Sequence, residues 1–187
     1  MAKKQAVRNC RDSSLHSSRH SLQSDNMRER KRQRLENFDY SSDNMYFVTL
    51  ITKNRINYFG KIRENKIILN TYGEIVNKQW LWLAEQYSYI ILKEYIIMPN
   101  HLHGIIQIDR EEVINKDSNI KIKSLSEIIG AFKTTSSKLI RLSNDENFQW
   151  HKSFYDHIIR NYEDLIRIQE YIVNNPLKWN DDDYFIL

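Results

Sequence analysis

The chain has 187 residues, 41% of them hydrophobic and 12% aromatic, with a formal net charge of +4 and a pI near 9.0. That is enough for one domain with a tail and a sizeable core. It excludes a membrane-spanning helix, because no apolar run approaches the roughly 20 residues one needs.

The opening residues carry no apolar stretch of the signal-peptide kind. The single cysteine, Cys10, cannot form an internal disulfide. Both features lead us to expect a reduced, cytoplasmic setting. They also argue against a zinc-stabilised structural domain, which needs a Cys/His cluster.

In chain order, residues 1–26 are rich in Ser, Arg, Gln and Asn and nearly free of bulky apolar groups. That is the composition of a disordered tail, and residues 27–187 form the expected domain. Residues 1–36 hold ten Lys/Arg against four Asp/Glu, whereas the remainder holds 18 against 20. The basic excess therefore sits in the arm. Arg30 and Arg32, in "MRERKRQRLENFDYSS" (27–42), are candidate phosphate contacts, alongside the plain reading of a solvated arm.

"MYFVTLITKN" (45–54) has the β-branched and aromatic content of a strand. "TYGEIVNKQWLWLAEQ" (71–86) places Ile75, Val76, Trp80, Leu83 and Ala84 at helical spacing. "YIILKEYIIM" (89–98) and "HLHGIIQID" (101–109) read as two strands punctuated by Pro99-Asn100, the pattern of a hairpin. Residues 109–124 form a polar connection. A helix is expected over 124–142, with Ser124 as N-cap and Glu127 completing a capping box. A loop follows over 143–149, then a strand or irregular segment over 150–160. The last helix, 161–175, is capped by Asn161, carries Glu163 and Asp164 at its positive end, and stops at Pro176. Interleaved strands and helices with hairpin neighbours point to an α+β fold, with helices covering one face of an antiparallel sheet.

Within that frame, "MPNHLHGII" (98–106) carries the chemistry. Side chains alternate along a strand, so His101 and His103 share a face with Ile105, Gln107 and Asp109. Leu102, Gly104, Ile106 and Ile108 take the other face. Two adjacent neutral imidazoles are a natural divalent-metal pair, but a third ligand must come from elsewhere. In the last helix Leu165, Ile168 and Ile172 form a docking stripe, edged by Asp164, Arg167 and Tyr171. Tyr171 and Asn175, four apart, lie on one helical face. Packed across the histidines, that face brings a phenol and an amide oxygen toward them. The plain alternatives are satisfied structural histidines and a half-buried helix tyrosine.

"YIIMPNHLHGIIQI" followed by "FQWHKSFYDHIIRNYEDLIRIQEYIVNNPLKW" resembles the IS200-like single-tyrosine transposases of the HUH nuclease superfamily. The opening "RKRQRLENFDYSSDNMYFVTLITKNRINYFG" is similar to their domesticated branch, the transposases associated with repetitive extragenic palindromes. The resemblance runs from about residue 30 to 180. It implies a ferredoxin-like sheet with a C-terminal catalytic helix. It also implies a divalent ion, Mg²⁺ or Mn²⁺, on His101, His103 and Asn175, with Tyr171 as nucleophile. The implied reaction is metal-dependent cleavage and rejoining of single-stranded DNA at hairpin sites, through a 5′-phosphotyrosine. Relatives work as monomers or homodimers. A non-catalytic hairpin-binding descendant is the alternative.

Candidate DNA contacts are Lys133 and Lys138, in a hydroxyl-rich stretch with Thr134, Thr135, Ser136 and Ser137, and Lys152, Arg160 and Lys178 near the catalytic helix. Trp150, Phe154 and Tyr155 are candidates to stack on bases, or else belong to the core. Asp156-His157 invites an acid–base role, against the plain reading of a structural histidine.

Overall fold

The computed structural model describes residue 35, residues 37–111 and residues 120–181. The expected tail, Arg30 and Arg32 lie outside the described residues.

The apolar run "NMYFVTLI" forms β1 (Asn44–Ile51). A short hairpin follows, β2 (Gly60–Arg63) and β3 (Lys66–Leu69). Its two-residue turn holds Glu64 and Asn65 at φ 49° and 58°, the left-handed pair that matches hairpin twist. Asn70 caps α1 (Thr71–Gln86) by accepting from the Tyr72 and Gly73 amides. Then come β4 (Ile90–Ile97) and β5 (His101–Ile108), paired antiparallel as a hairpin. α2 (Leu125–Leu142) opens on the full Ser124–Glu127 capping box. β6 (Tyr155–Ile159) and α3 (Tyr162–Asn174) complete the series. The chain does not leave helical geometry at Pro176; it tightens into a 3₁₀ segment, Asn175–Asp181.

The four long strands form one antiparallel sheet in the order β4-β5-β1-β6. With α1 and α2 as the crossovers, this is the ferredoxin-like βαββαβ arrangement expected from the sequence. β1 is central, and its register fixes both faces. Tyr46, Val48 and Leu50 stand beside Ile106, Gly104 and Leu102, while Phe47, Thr49 and Ile51 stand beside Ile105, His103 and His101.

The first set packs under α1 and α2 in the main core, with Trp80, Leu83, Ile128 and Phe132. The second set is covered too. α3 docks Ile168 and Ile172, flanked by Leu165, onto Phe47, Ile105 and Ile159. Helices therefore cover both faces, not one. The reason is that the histidine face also carries enough apolar residues to hold a helix.

Gly104 sits between the two layers. A β-carbon there would come within 2.4 Å of the Trp80 ring, so the strand can lie this close to α1 only with glycine between the histidine and the next isoleucine.

Candidate active site

β5 presents His101 and His103 on the face beneath α3, where they are 0% and 1% exposed. Their ring centroids are 4.4 Å apart. Each ring is fixed by its Nδ1. His103 Nδ1 lies 2.8 Å from Thr49 Oγ1, its neighbour across the β1–β5 ladder. His101 Nδ1 lies 2.8 Å from Asn100 Oδ1. The Asn100 amide nitrogen donates to the Arg55 carbonyl at 3.0 Å, which fixes the orientation of that amide. Its oxygen can only accept, so His101 carries its proton on Nδ1 and its lone pair on Nε2. Burial holds the pKa of His101 down to about 3, opposed by Asn175, and burial with the neighbouring His101 holds His103 well below its ordinary value. Both rings are neutral at neutral pH.

Across them lies α3. Tyr171 reaches over His103, its hydroxyl 3.2 Å from Nε2. Phe47 stacks on His103 at 5.4 Å and meets Tyr171 edge-on at 6.0 Å. Asn175 closes the helix with α-helical backbone angles, so it keeps the i+4 relation to Tyr171. It is 2% exposed, and its buried Oδ1 makes no hydrogen bond of ordinary geometry. Trp179, in the 3₁₀ segment, lies over His101 at 6.0 Å.

Two neutral imidazoles with anchored Nδ1 atoms, and the buried Asn175 amide beside His101, suit a divalent cation that takes mixed N and O ligands. Among the described residues no three His, Cys, Asp or Glu side chains cluster. Oxygen donors beside the two imidazoles include the Asn175 amide and the Tyr171 phenol.

Tyr171 is 42% exposed and opens onto a cleft of about 530 Å³ that also touches Tyr155, His157, Arg167 and Lys178. His157 Nε2 pairs with Asp164 Oδ2 at 2.7 Å, not with its sequence neighbour Asp156, and Arg167 bonds the other Asp164 oxygen. These contacts, His157 first, hold the Asp164 carboxyl below its usual range.

The structure brings His101, His103, Tyr171 and Asn175 together, with Lys178 on the same cleft. Lys138, Lys152 and Arg160 are exposed elsewhere. Lys133 is committed: its ammonium donates to the His151 and Ser153 carbonyls, at 2.9 Å each. Thr134, Thr135 and Ser136 turn their hydroxyls back to carbonyls of their own helix. Trp150 is core, and only Tyr155 of the aromatic trio faces the cleft. Thr49 and Asn100 were not singled out from sequence. Asn100 adjoins the motif and was visible there, whereas Thr49 requires knowledge of the strand register.

The sheet order defines a ferredoxin-like fold that carries His101, His103, Tyr171 and Asn175 on one face. The solved structure of a REP-associated tyrosine transposase bound to a REP hairpin superposes with a TM-score of 0.54 at 17% identity, covering 78% of this chain and 72% of that one. In sequence, an uncharacterised Haemophilus influenzae protein is 33% identical over 165 residues, 82% of this chain and 91% of that protein. A second H. influenzae protein, provisionally named a REP-associated tyrosine transposase, is 24% identical over 146 residues, 75% of this chain and 74% of its own. No protein-family model matches the chain. The chain belongs to one family with the first of these H. influenzae proteins, and it shares the fold of the REP-associated tyrosine transposase. Among the described residues no helix is long and apolar enough to cross a membrane.

Proposed function

We propose that this protein cleaves and rejoins single-stranded DNA beside hairpins, with Tyr171 as nucleophile and a divalent ion, Mg²⁺ or Mn²⁺, held by His101, His103 and Asn175. The observation that carries this reading is the Tyr171 hydroxyl 3.2 Å from His103 Nε2, at the mouth of an open cleft. The hairpin is taken from the related transposase solved with one.

A divalent ion at the three ligands supplies Lewis-acid polarisation of a phosphate oxygen. The rest falls to the chain. Thr49 and Asn100 hold the imidazoles, so the ligand set needs no rearrangement. Phe47 walls the phenol in place, which narrows the attack geometry. Arg167 and Lys178, on the same cleft, offer positive charge to neighbouring phosphates. Tyr171 gives up its phenolic proton and forms a bond to phosphorus. The bond from phosphorus to the 3′ oxygen breaks, and that oxygen takes a proton. A 5′-phosphotyrosine and a free 3′-hydroxyl result. The link keeps the bond energy, so a second 3′-hydroxyl can be joined without ATP.

The test is covalent trapping. Labelled hairpin oligonucleotides from the DNA flanking its gene are incubated with the protein and Mg²⁺ or Mn²⁺, then run on a denaturing gel beside Tyr171→Phe and His103→Ala. A metal-dependent protein–DNA band absent from both variants is expected. Tight hairpin binding with no band under any metal would replace the enzyme by a non-catalytic hairpin-binding protein.

A further inference from the structure

The cleft in front of Tyr171 has two sides. α3 forms one, through Arg167 and Tyr171; β6 forms the other, through Tyr155 and His157. Phe47 lies between them. It is the ladder partner of His157 and meets the Tyr171 ring edge-on at 6.0 Å. His157 therefore faces the cleft from across Phe47, and its side chain is 38% exposed. Among the described residues on the cleft it is the one histidine, the residue type that changes charge between about pH 5 and 8.

The ring is held in one orientation. Its Nε2 lies 2.7 Å from Asp164 Oδ2, and the Asp164 side chain is only 15% exposed. Arg167 donates to the other Asp164 oxygen, and the Asp164 amide donates to Asn161 Oδ1 at 2.8 Å. The carboxylate is thus fixed from both ends. With His157 first among its partners, its pKa lies below the usual range, so it stays ionised and can only accept. Nε2 must then carry a proton in both charge states of the ring. The proton that comes and goes is the one on Nδ1, and among the described residues Nδ1 makes no hydrogen bond. A carboxylate that fixes the tautomer and stabilises the imidazolium is the support a proton-transferring histidine needs.

The reaction has a place for such a group. Displacement at phosphorus puts the attacking and leaving oxygens roughly in line, on opposite sides of the phosphate. Polarising a phosphate oxygen still leaves the departing 3′ oxygen without a proton. A donor for it has to stand across the phosphate from Tyr171, on the side that β6 forms. Arg167 cannot serve, because a guanidinium does not release its proton.

We propose that His157, oriented by Asp164, gives the proton to the departing 3′ oxygen. This rests on the reading of Tyr171 as the nucleophile of a DNA-cleaving protein. In cleavage the Tyr171 oxygen bonds to phosphorus and its phenolic proton passes to solvent. The bond from phosphorus to the 3′ oxygen breaks, and that oxygen takes the Nδ1 proton. Neutral His157 then regains a proton from water. In joining, the incoming 3′-hydroxyl gives its proton to neutral Nδ1 as it bonds to phosphorus; the bond to the Tyr171 oxygen breaks, and the phenol takes a proton from solvent. Asp164 is a positioning residue, and Arg167 steadies it.

The test replaces the leaving atom. Two hairpin oligonucleotides of one sequence are compared, one normal and one with sulfur in place of the 3′ oxygen at the site the wild type cuts. A thiol ionises near pH 8.5, about seven units below water, so a thiolate departs without an acid. Rates of covalent adduct formation are measured with the full chain and Mn²⁺. His157→Gln is expected to lose roughly 10²-fold or more on normal DNA and to match the wild type on sulfur DNA. Asp164→Asn keeps its oxygen on Arg167 and turns its amide to Nε2, which disrupts the tautomer; a smaller loss on normal DNA is expected, again restored by sulfur. Tm measured alongside reports any loss of fold. An unaffected rate on normal DNA, or equal losses of His157→Gln on both substrates, would overturn the proposal and leave Tyr171 as nucleophile. If the wild type cuts no DNA, the reading of Tyr171 fails and this one with it, so the two failures are distinguishable.

Discussion

The two faces of the sheet are built for different purposes. Among the described residues, the face under α1 and α2 is closed by 21 buried apolar residues centred on Trp80, Phe132 and Leu102. The face under α3 is closed by five, Phe47, Ile105, Ile159, Ile168 and Ile172, and it also buries Thr49, His101, His103 and Asn175. Buried polar groups oppose folding unless hydrogen-bonded. Thr49 and Asn100 supply those bonds to the imidazoles, while Asn175 Oδ1 has none of ordinary geometry. The fold is anchored on one face, so the other can carry a costly buried polar set beneath a thinly held helix. Local opening should begin at α3, whose amides we expect to exchange hydrogen before those of α2.

The sharpest way to break this contrast is to hollow out the anchoring face. Trp80→Ala is expected to cost about 3–5 kcal/mol, measured by chemical denaturation, and to take the active site down with the fold. A smaller loss would mean that α3 contributes more to global stability than its apolar area suggests.

Gly104→Ala tests the layer between. The added methyl meets the Trp80 ring, and the expected loss is about 1–3 kcal/mol. Because Gly104 neighbours His103, the variant should also shift the His103 ring signals in NMR. An unshifted His103 would show that the strand absorbs the strain on its α1 side alone.

Thr49→Val leaves the fold nearly intact, at a cost of about 1 kcal/mol for a lost hydrogen bond, and acts on the other face. It removes the partner of His103 Nδ1. Anchors of metal-binding histidines typically contribute 10–100-fold in affinity, so Mn²⁺ binding by calorimetry should weaken on that scale. Unaltered binding would remove His103 from the ligand set.

Much of this architecture is legible in the sequence because its signals are local. The Ser124–Glu127 box, the Asn161 cap, the periodicity of residues 71–86 and the alternation through "HLHGIIQI" each specify an element within a few residues. Alternation also places both histidines on one face, and i+4 spacing keeps Tyr171 with Asn175. What the sequence hides is non-local. The β2–β3 hairpin turns on Glu64-Asn65, and Glu is an uncommon choice for a left-handed position. Helical cover on both faces follows from where α3 docks. Thr49 faces His103, and Asp164 faces His157, only once strand register and helix placement are known. The role of Lys133 depends on carbonyls 18 and 20 residues away.

Lys133 gives the smallest effect. Burial pushes its pKa down to about 8 from 10.5. The ammonium is therefore largely charged at pH 7 and largely neutral at pH 9. Hairpin affinity should fall several-fold as pH rises through 8, because one phosphate contact loses its charge. Stability should move the other way. Between about pH 8 and 10.5 the unfolded chain keeps a proton that the folded chain has released, so this group favours folding increasingly as pH rises. Lys133→Met keeps the apolar stem and removes both trends. Affinity for the hairpin at pH 7 and pH 9, in wild type and variant, is the measurement. A pH trend that survives in Lys133→Met would assign it to some other group and remove Lys133 from the candidate DNA contacts.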